Sequence, residues 1–149
     1  MLAALTAAFV LSIPALGPGH AIPKRYTCDG AQTSPALRWK APPRGTKGFA
    51  VYVLDRDAGP YTHWTLWDLP PTSRGVAAGT TWARQGRNSF GDIGYAGPCP
   101  PSGRHRYVFT VYALKQKLGL RRGASVSEFL RVLPRRVLGT ATVTGTYSR

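Results

Sequence analysis

The octapeptide Gly-Phe-Ala-Val-Tyr-Val-Leu-Asp, running from Gly48 to Asp55, decides how the chain is read. It is nonpolar up to its last residue, rich in β-branched and aromatic side chains, and of strand length. A continuous run of this kind fits a strand covered on both faces. Arg106 to Leu114 reads the same way, and Trp64 to Leu69 and Thr140 to Tyr147 add two more strands. Between them lie turn clusters: Pro42-Pro43-Arg44-Gly45, Ala58-Gly59-Pro60, Pro70-Pro71-Thr72-Ser73, and Gly97 through Gly103. Only one segment has helical spacing. Val126, Phe129, Leu130, Leu133 and Val137 share a face, behind Ser125 and Glu128 in the positions of a capping box. Pro134 predicts a break near Leu133. The expected fold is mostly β and mostly antiparallel, with one or two short C-terminal helices.

The chain has 149 residues and 16.1 kDa, which predicts one domain, two at most, able to bury about two thirds of its surface. Its 20 Lys and Arg against 6 acidic residues leave a net charge of +14, so nucleic acid, anionic lipid headgroups and phosphorylated ligands are all admitted as nonspecific partners. The basic run Lys115, Lys117, Arg121, Arg122, Arg131, Arg135 and Arg136 reads first as a solvated face. Asp29, Asp55, Asp57, Asp68, Asp92 and Glu128 are the acidic residues, few enough that each needs a reason. Cys28 and Cys99, 71 positions apart, exclude a CxxC metal knuckle or redox pair. They are either two reduced small hydrophobes or the ends of a bridge whose closure would stabilise the fold by roughly 4 kcal/mol.

Met1 to Leu16 is almost wholly apolar and is followed by small residues, as in a signal peptide, but no Lys or Arg precedes it. The alternation Phe9, Leu11, Ile13 equally describes a first strand ended by Pro14. The run is too short for a transmembrane helix. A cytoplasmic location is slightly favoured, while the apolar start and the two cysteines also fit an exported chain.

Asp55 ends its strand on the face of Phe49, Val51 and Val53, which places a carboxylate at the lip of the core. His63 is expected to begin the next strand after a connection containing Gly59 and Pro60, close enough to return to Asp55. His105 and Tyr107 share a strand face just beyond the Pro-rich loop. Two imidazoles, a phenol and a carboxylate can therefore meet where strands end. Imidazole N–H and phenol O–H groups donate to phosphoryl or carboxylate oxygens, while a carboxylate orients an imidazole or receives an ammonium. Singly, His63 and His105 each read first as a satisfied surface or core group, and Trp64, Trp67, Tyr107 and Tyr112 read as core. Asp55, His63 and His105 also have the composition of a two-histidine, one-carboxylate metal site, without its spacing, so no metal is expected. Cys99 near His105 has the composition of a nucleophile and base, although Pro98 and Pro100 remove backbone donors an oxyanion would use.

Ile22 to Gly30, Ser34 to Trp39, Asp55-Arg56-Asp57-Ala58, His63-Trp64, and Gly97 through Tyr107 together resemble the phosphatidylethanolamine-binding protein family, most closely its bacterial and archaeal Raf kinase inhibitor-like branch. The resemblance runs from Phe9 to Tyr147. It implies a large β-sheet packed on a smaller one, with short peripheral helices, in a single domain 9–149 behind an extension 1–8 that is too short to be a separate signal peptide. It also implies a small-anion pocket of Asp55, His63, His105 and Tyr107, walled by the loops carrying Asp57 and Gly97-Pro98. No cofactor is implied. Where the family loop reads Asp-Pro-Asp-Ala-Pro, Arg56 and Gly59 replace the prolines. Arg56 either adds a cation to the rim or points to solvent.

The function expected is that of a non-enzymatic binding or regulatory protein for phosphate, a carboxylate or a phospholipid headgroup. The resemblance adds inhibition of a kinase or protease partner as a further role. The rival readings are a small ester or phosphoester hydrolase built on the same His and Asp cluster, and a polyanion binder driven by charge alone.

Overall fold

Gly48–Asp55 forms an inner strand of a four-stranded antiparallel sheet, where neighbours on both sides satisfy its backbone groups. The computed structural model describes residues 1–149. In chain order the elements are β1 (Val10–Ser12), β2 (Leu37–Lys40), β3 (Gly48–Asp55), β4 (Tyr61–Leu69), β5 (Gly75–Val76), β6 (Arg104–Leu114), α1 (Val126–Val132) and β7 (Val137–Ser148). The large sheet is ordered β4-β3-β6-β7 and the small one β1-β2-β5, with antiparallel pairing throughout. Residues 1–8 are exposed and outside both sheets, whereas Phe9 packs on Phe49 with ring centroids 6.3 Å apart.

Each face of the large sheet has its own core, because β3 alternates between them. Phe49, Val51 and Val53 meet Leu11, Leu37 and Trp39 of the small sheet, together with Phe109 and Val111 of β6. On the opposite face Ala50, Tyr52, Trp67 and Leu114 lie under Leu118, Phe129 and Leu133. α1 begins at the expected capping box: Ser125 Oγ accepts from Glu128 N at 3.1 Å, and Glu128 Oε2 accepts from Ser125 N at 2.7 Å. It gives way at Leu133 to a single 3-10 turn, Leu133–Arg136, where Pro134 stands.

Five expectations change. Val137 does not continue the helical face: the backbone turns extended there and Val137 opens β7. β6 is buried on one face only, since Tyr107, Phe109, Val111 and Ala113 point into the first core while Arg104 and Arg106 are exposed; the helical layer covers only the other end of its outer face. Leu130 is 41% exposed although it keeps helical spacing with Val126 and Leu133, because a helix of about two turns lying on a sheet buries a narrow stripe, centred here on Phe129. β2 and β5 are additional strands: β2 is interrupted by Arg38 and Lys40, and β5 is only two residues long, so neither stands out as an apolar run. Finally, β4 starts at Tyr61, so the connection from β3 is Arg56–Pro60 and His63 lies inside the strand, not at its start.

Candidate functional site

His63 owes its position to a β-bulge. Val53 pairs with Trp64 and Leu54 with Thr62, which leaves His63 without a partner in the ladder. Strict alternation would send it away from Trp64, to the face of the helical layer. The extra residue re-aims it to the face of Trp64, Tyr107 and His105. There it is 2% exposed, with its ring 5.2 Å from Tyr107 and 5.4 Å from Phe90, both edge-on. Its Nδ1 lies 2.8 Å from the Ala96 carbonyl, which only accepts, so Nδ1 carries the proton and Nε2 is the free edge. Burial pushes the His63 pKa below its ordinary value, against the opposing pull of the Ala96 carbonyl and the Asp55 charge.

Asp55 is 3% exposed, and both of its carboxylate oxygens accept hydrogen bonds. Oδ1 accepts from the backbone N–H groups of Asp57 at 2.9 Å and Ala58 at 3.2 Å, folding the connection over the strand end. Oδ2 receives the Nδ1 proton of His105 at 2.6 Å. The β3–β6 register, which pairs Asp55 with Tyr107, is what brings His105 within reach. Both imidazoles therefore turn Nδ1 inward and leave Nε2 free.

Asp55, His63 and His105 line one cavity of about 330 Å³, with Ala58, Tyr61, Phe90, Cys99, Pro100 and Pro101 as its other walls. Tyr107 sits one layer below them, fully buried, between the two imidazoles. Its hydroxyl has no partner in hydrogen-bonding geometry. Burial, reinforced by the nearby Asp55 charge, raises its pKa and keeps it a neutral donor.

The remaining candidates are placed differently. Asp57 turns outward and clamps Arg106, accepting from its backbone N–H at 2.7 Å, Nε at 3.1 Å and Nη2 at 2.7 Å. Those bonds hold its carboxyl at about 2, below the usual carboxylate range. It fixes the loop and does not line the cavity; Arg56 is likewise exposed and off the rim. Gly97 lines an adjacent cavity with Gln32, Tyr95 and Asp92, and its N–H donates to Gln32 Oε1 at 3.1 Å. The Pro98 carbonyl accepts from Cys28 N at 3.1 Å. Cys28 and Cys99 form a disulfide with α-carbons 5.4 Å apart, so the reading of two reduced cysteines, and that of a Cys99 nucleophile served by His105, are both corrected. No three His, Cys, Asp or Glu side chains are grouped to hold a metal ion.

Tyr61 and Phe90 are walls that the sequence reading missed. Phe90 is 48% exposed at the tip of a turn held by Asn88, whose Oδ1 accepts from Phe90 N and Asp92 N. The available signal was a phenylalanine in a polar turn, outside any periodic segment and with no core face to serve.

Comparison with known proteins agrees with this architecture. The family model for phosphatidylethanolamine-binding protein matches residues 12–148. A UPF0098 protein of Methanothermobacter thermautotrophicus is 43% identical, covering 86% of this chain and 91% of that protein. A crystal structure from Chlamydia trachomatis, described as a putative phosphatidylethanolamine-binding protein homolog, superposes with a TM-score of 0.87 at 35% identity, covering 95% of this chain and 98% of that one. Escherichia coli YbcL, described as a new member of the mammalian family, gives a TM-score of 0.87 at 32% identity, with 96% and 99% covered. With nearly its whole length matched by the family model and both sheets superposing on solved relatives, this chain belongs to the phosphatidylethanolamine-binding protein family.

Proposed function

We propose that the chain is a non-enzymatic binding protein whose cleft holds a small anionic group, a phosphate monoester or a carboxylate. The observation that carries this reading is the pair of imidazoles that commit Nδ1 inward and leave Nε2 free in one cavity. Each becomes an Nε2–H donor bearing positive charge once protonated, so the anion and the protons are taken up together. Tyr61, Phe90, Pro100 and Pro101 supply apolar walls that suit a ligand with a carbon portion beside its charged end. The disulfide removes Cys99 as a nucleophile for acyl transfer, and the hydrolase reading that uses the His and Asp cluster is separated from binding by the assay below. A disulfide also fits work in an oxidising compartment.

Titration with inorganic phosphate and with phosphoethanolamine, followed by the imidazole NMR signals, tests the assignment. Saturable shifts at His63 and His105, lost in His105→Ala, are expected. Unchanged affinity in that variant would remove the site. Steady hydrolysis of ester or phosphomonoester substrates that disappears in His63→Ala would favour the hydrolase reading instead.

A further inference from the structure

The segment from Lys115 to Arg136 holds seven of the chain's 20 basic residues, with Glu128 as its only carboxylate. The fold gathers them onto one side. Arg136 Nη1 donates to the Lys117 carbonyl at 2.6 Å, and Lys115 N donates to the Arg136 carbonyl at 2.7 Å, which ties the loop after β6 to the turn after α1. Glu128, in the first turn of α1, lies within the electrostatic reach of both Arg121 and Arg131. Arg84 joins Arg121 and Arg122 around a shallow depression floored by Leu120, and Arg131, Arg135 and Arg136 surround a second one at Val132. Asp68, beside Arg84, is buried and occupied by the backbone N–H groups of Leu118 and Gly119. Eight basic side chains on this face, the seven of the segment and Arg84, therefore meet only two carboxylates, Asp68 and Glu128, and the face keeps a clear excess of positive charge.

We propose that this face, made of the loop 115–123, α1 and the Leu133–Arg136 turn, docks on a bilayer surface carrying anionic phospholipids. Charge complementarity alone admits any polyanion, and the apolar residues decide between them. Leu130 stands exposed among the arginines, and Leu120 and Val132 are half-buried at the floors of the depressions. Apolar side chains interleaved with Lys and Arg match the boundary between headgroups and acyl chains. Single-stranded nucleic acid would favour an exposed aromatic on which bases stack, and the segment's one aromatic, Phe129, is fully buried; a duplex would gain nothing from an exposed leucine among the arginines.

The docking face and the cleft are separate. His105 is the second residue of β6 and Lys115 follows its last, so the two lie roughly 33 Å apart along the strand at about 3.3 Å per residue. They also lie on opposite faces of the large sheet, so a docked molecule keeps its cleft open to solvent. The proposal does not rest on the cleft's ligand.

The test is sedimentation of the full chain with vesicles of phosphatidylcholine alone, or with about 30 mol% phosphatidylglycerol, at about 0.05 M salt. Binding is expected on the anionic vesicles only, and it should fall steeply as salt rises to about 0.5 M. Arg131→Gln/Arg135→Gln and Arg121→Gln/Arg122→Gln should each weaken it about thirtyfold. Leu130→Ser should weaken it as well, and His105→Ala should bind like the parent. Two independent arginine pairs, each checked for an unchanged circular dichroism spectrum, keep the test valid if one variant fails to fold. Equal binding to neutral vesicles, no binding to anionic ones, or affinity unchanged in both arginine pairs would overturn the proposal. So would tighter binding to duplex DNA combined with indifference to Leu130→Ser.

Discussion

Asp55 Oδ2 accepts the Nδ1 proton of His105 at 2.6 Å while its other oxygen caps the connection to β4, so one carboxylate holds an imidazole and a loop together. In Asp55→Asn the amide cannot accept at both ends with the strength of a charge. Unfolding in urea is expected to show a loss of about 1–3 kcal/mol. Imidazole 15N shifts should show His105 losing its single Nδ1–H tautomer, with faster amide exchange at Asp57 and Ala58. A His105 that keeps one tautomer would show that Asp55 does not orient it.

Acidification should destabilise the fold through His63. Its folded pKa lies below the ordinary 6.5, so the unfolded chain takes up the proton first and stability is lost as pH falls through 6.5 toward the folded value. Above 6.5 the contribution is fully present. The urea midpoint of the parent should drop more between pH 7.5 and 5.5 than that of His63→Asn, the difference isolating this residue from His20 and His105. Phosphate should reduce the drop, because a bound anion favours the imidazolium. Parallel pH profiles for parent and variant would refute this.

Reduction of the Cys28–Cys99 bridge frees a loop whose ends are 71 residues apart, and the double Cys→Ser variant is expected to lose roughly 4 kcal/mol. Cys99 lines the cleft, so phosphate affinity should weaken in the same variant. A melting temperature that does not respond to reductant would contradict the predicted stabilisation.

Gly97→Ala tests the packing behind the cleft wall. A Cβ there would stand 2.7 Å from the Tyr26 carbonyl oxygen and 2.8 Å from Thr27 Cα, backbone that cannot step aside as a side-chain tip would. A loss of about 1–3 kcal/mol is expected in thermal or urea unfolding. A neutral substitution would mean that the segments 26–27 and 96–98 are not in close contact.

Much of this molecule was legible in residue order. The Gly48–Asp55 run, the capping box at Ser125 and Glu128, and the break before Pro134 are local signals, each set by neighbours a few positions away. His105 and Tyr107 were placed on one face by simple alternation, and the β6 strand keeps it. Phe90 and Tyr61 were not visible as walls, because a side chain's role at a rim depends on where a distant loop is held.

Sequence alone determined the four long strands, where the helix starts and where it breaks, and that Asp55 closes an apolar strand, since hydrophobic period and turn chemistry are properties of short stretches. Only the tertiary structure decided the face of His63 and the union of Cys28 with Cys99. A bulge inserts one residue between two matched stretches and reverses every alternation count across it, and nothing in Tyr61 to Trp64 marks which residue is the extra one. The bridge likewise depends on two loops 71 residues apart being brought together by sheets that neither loop belongs to.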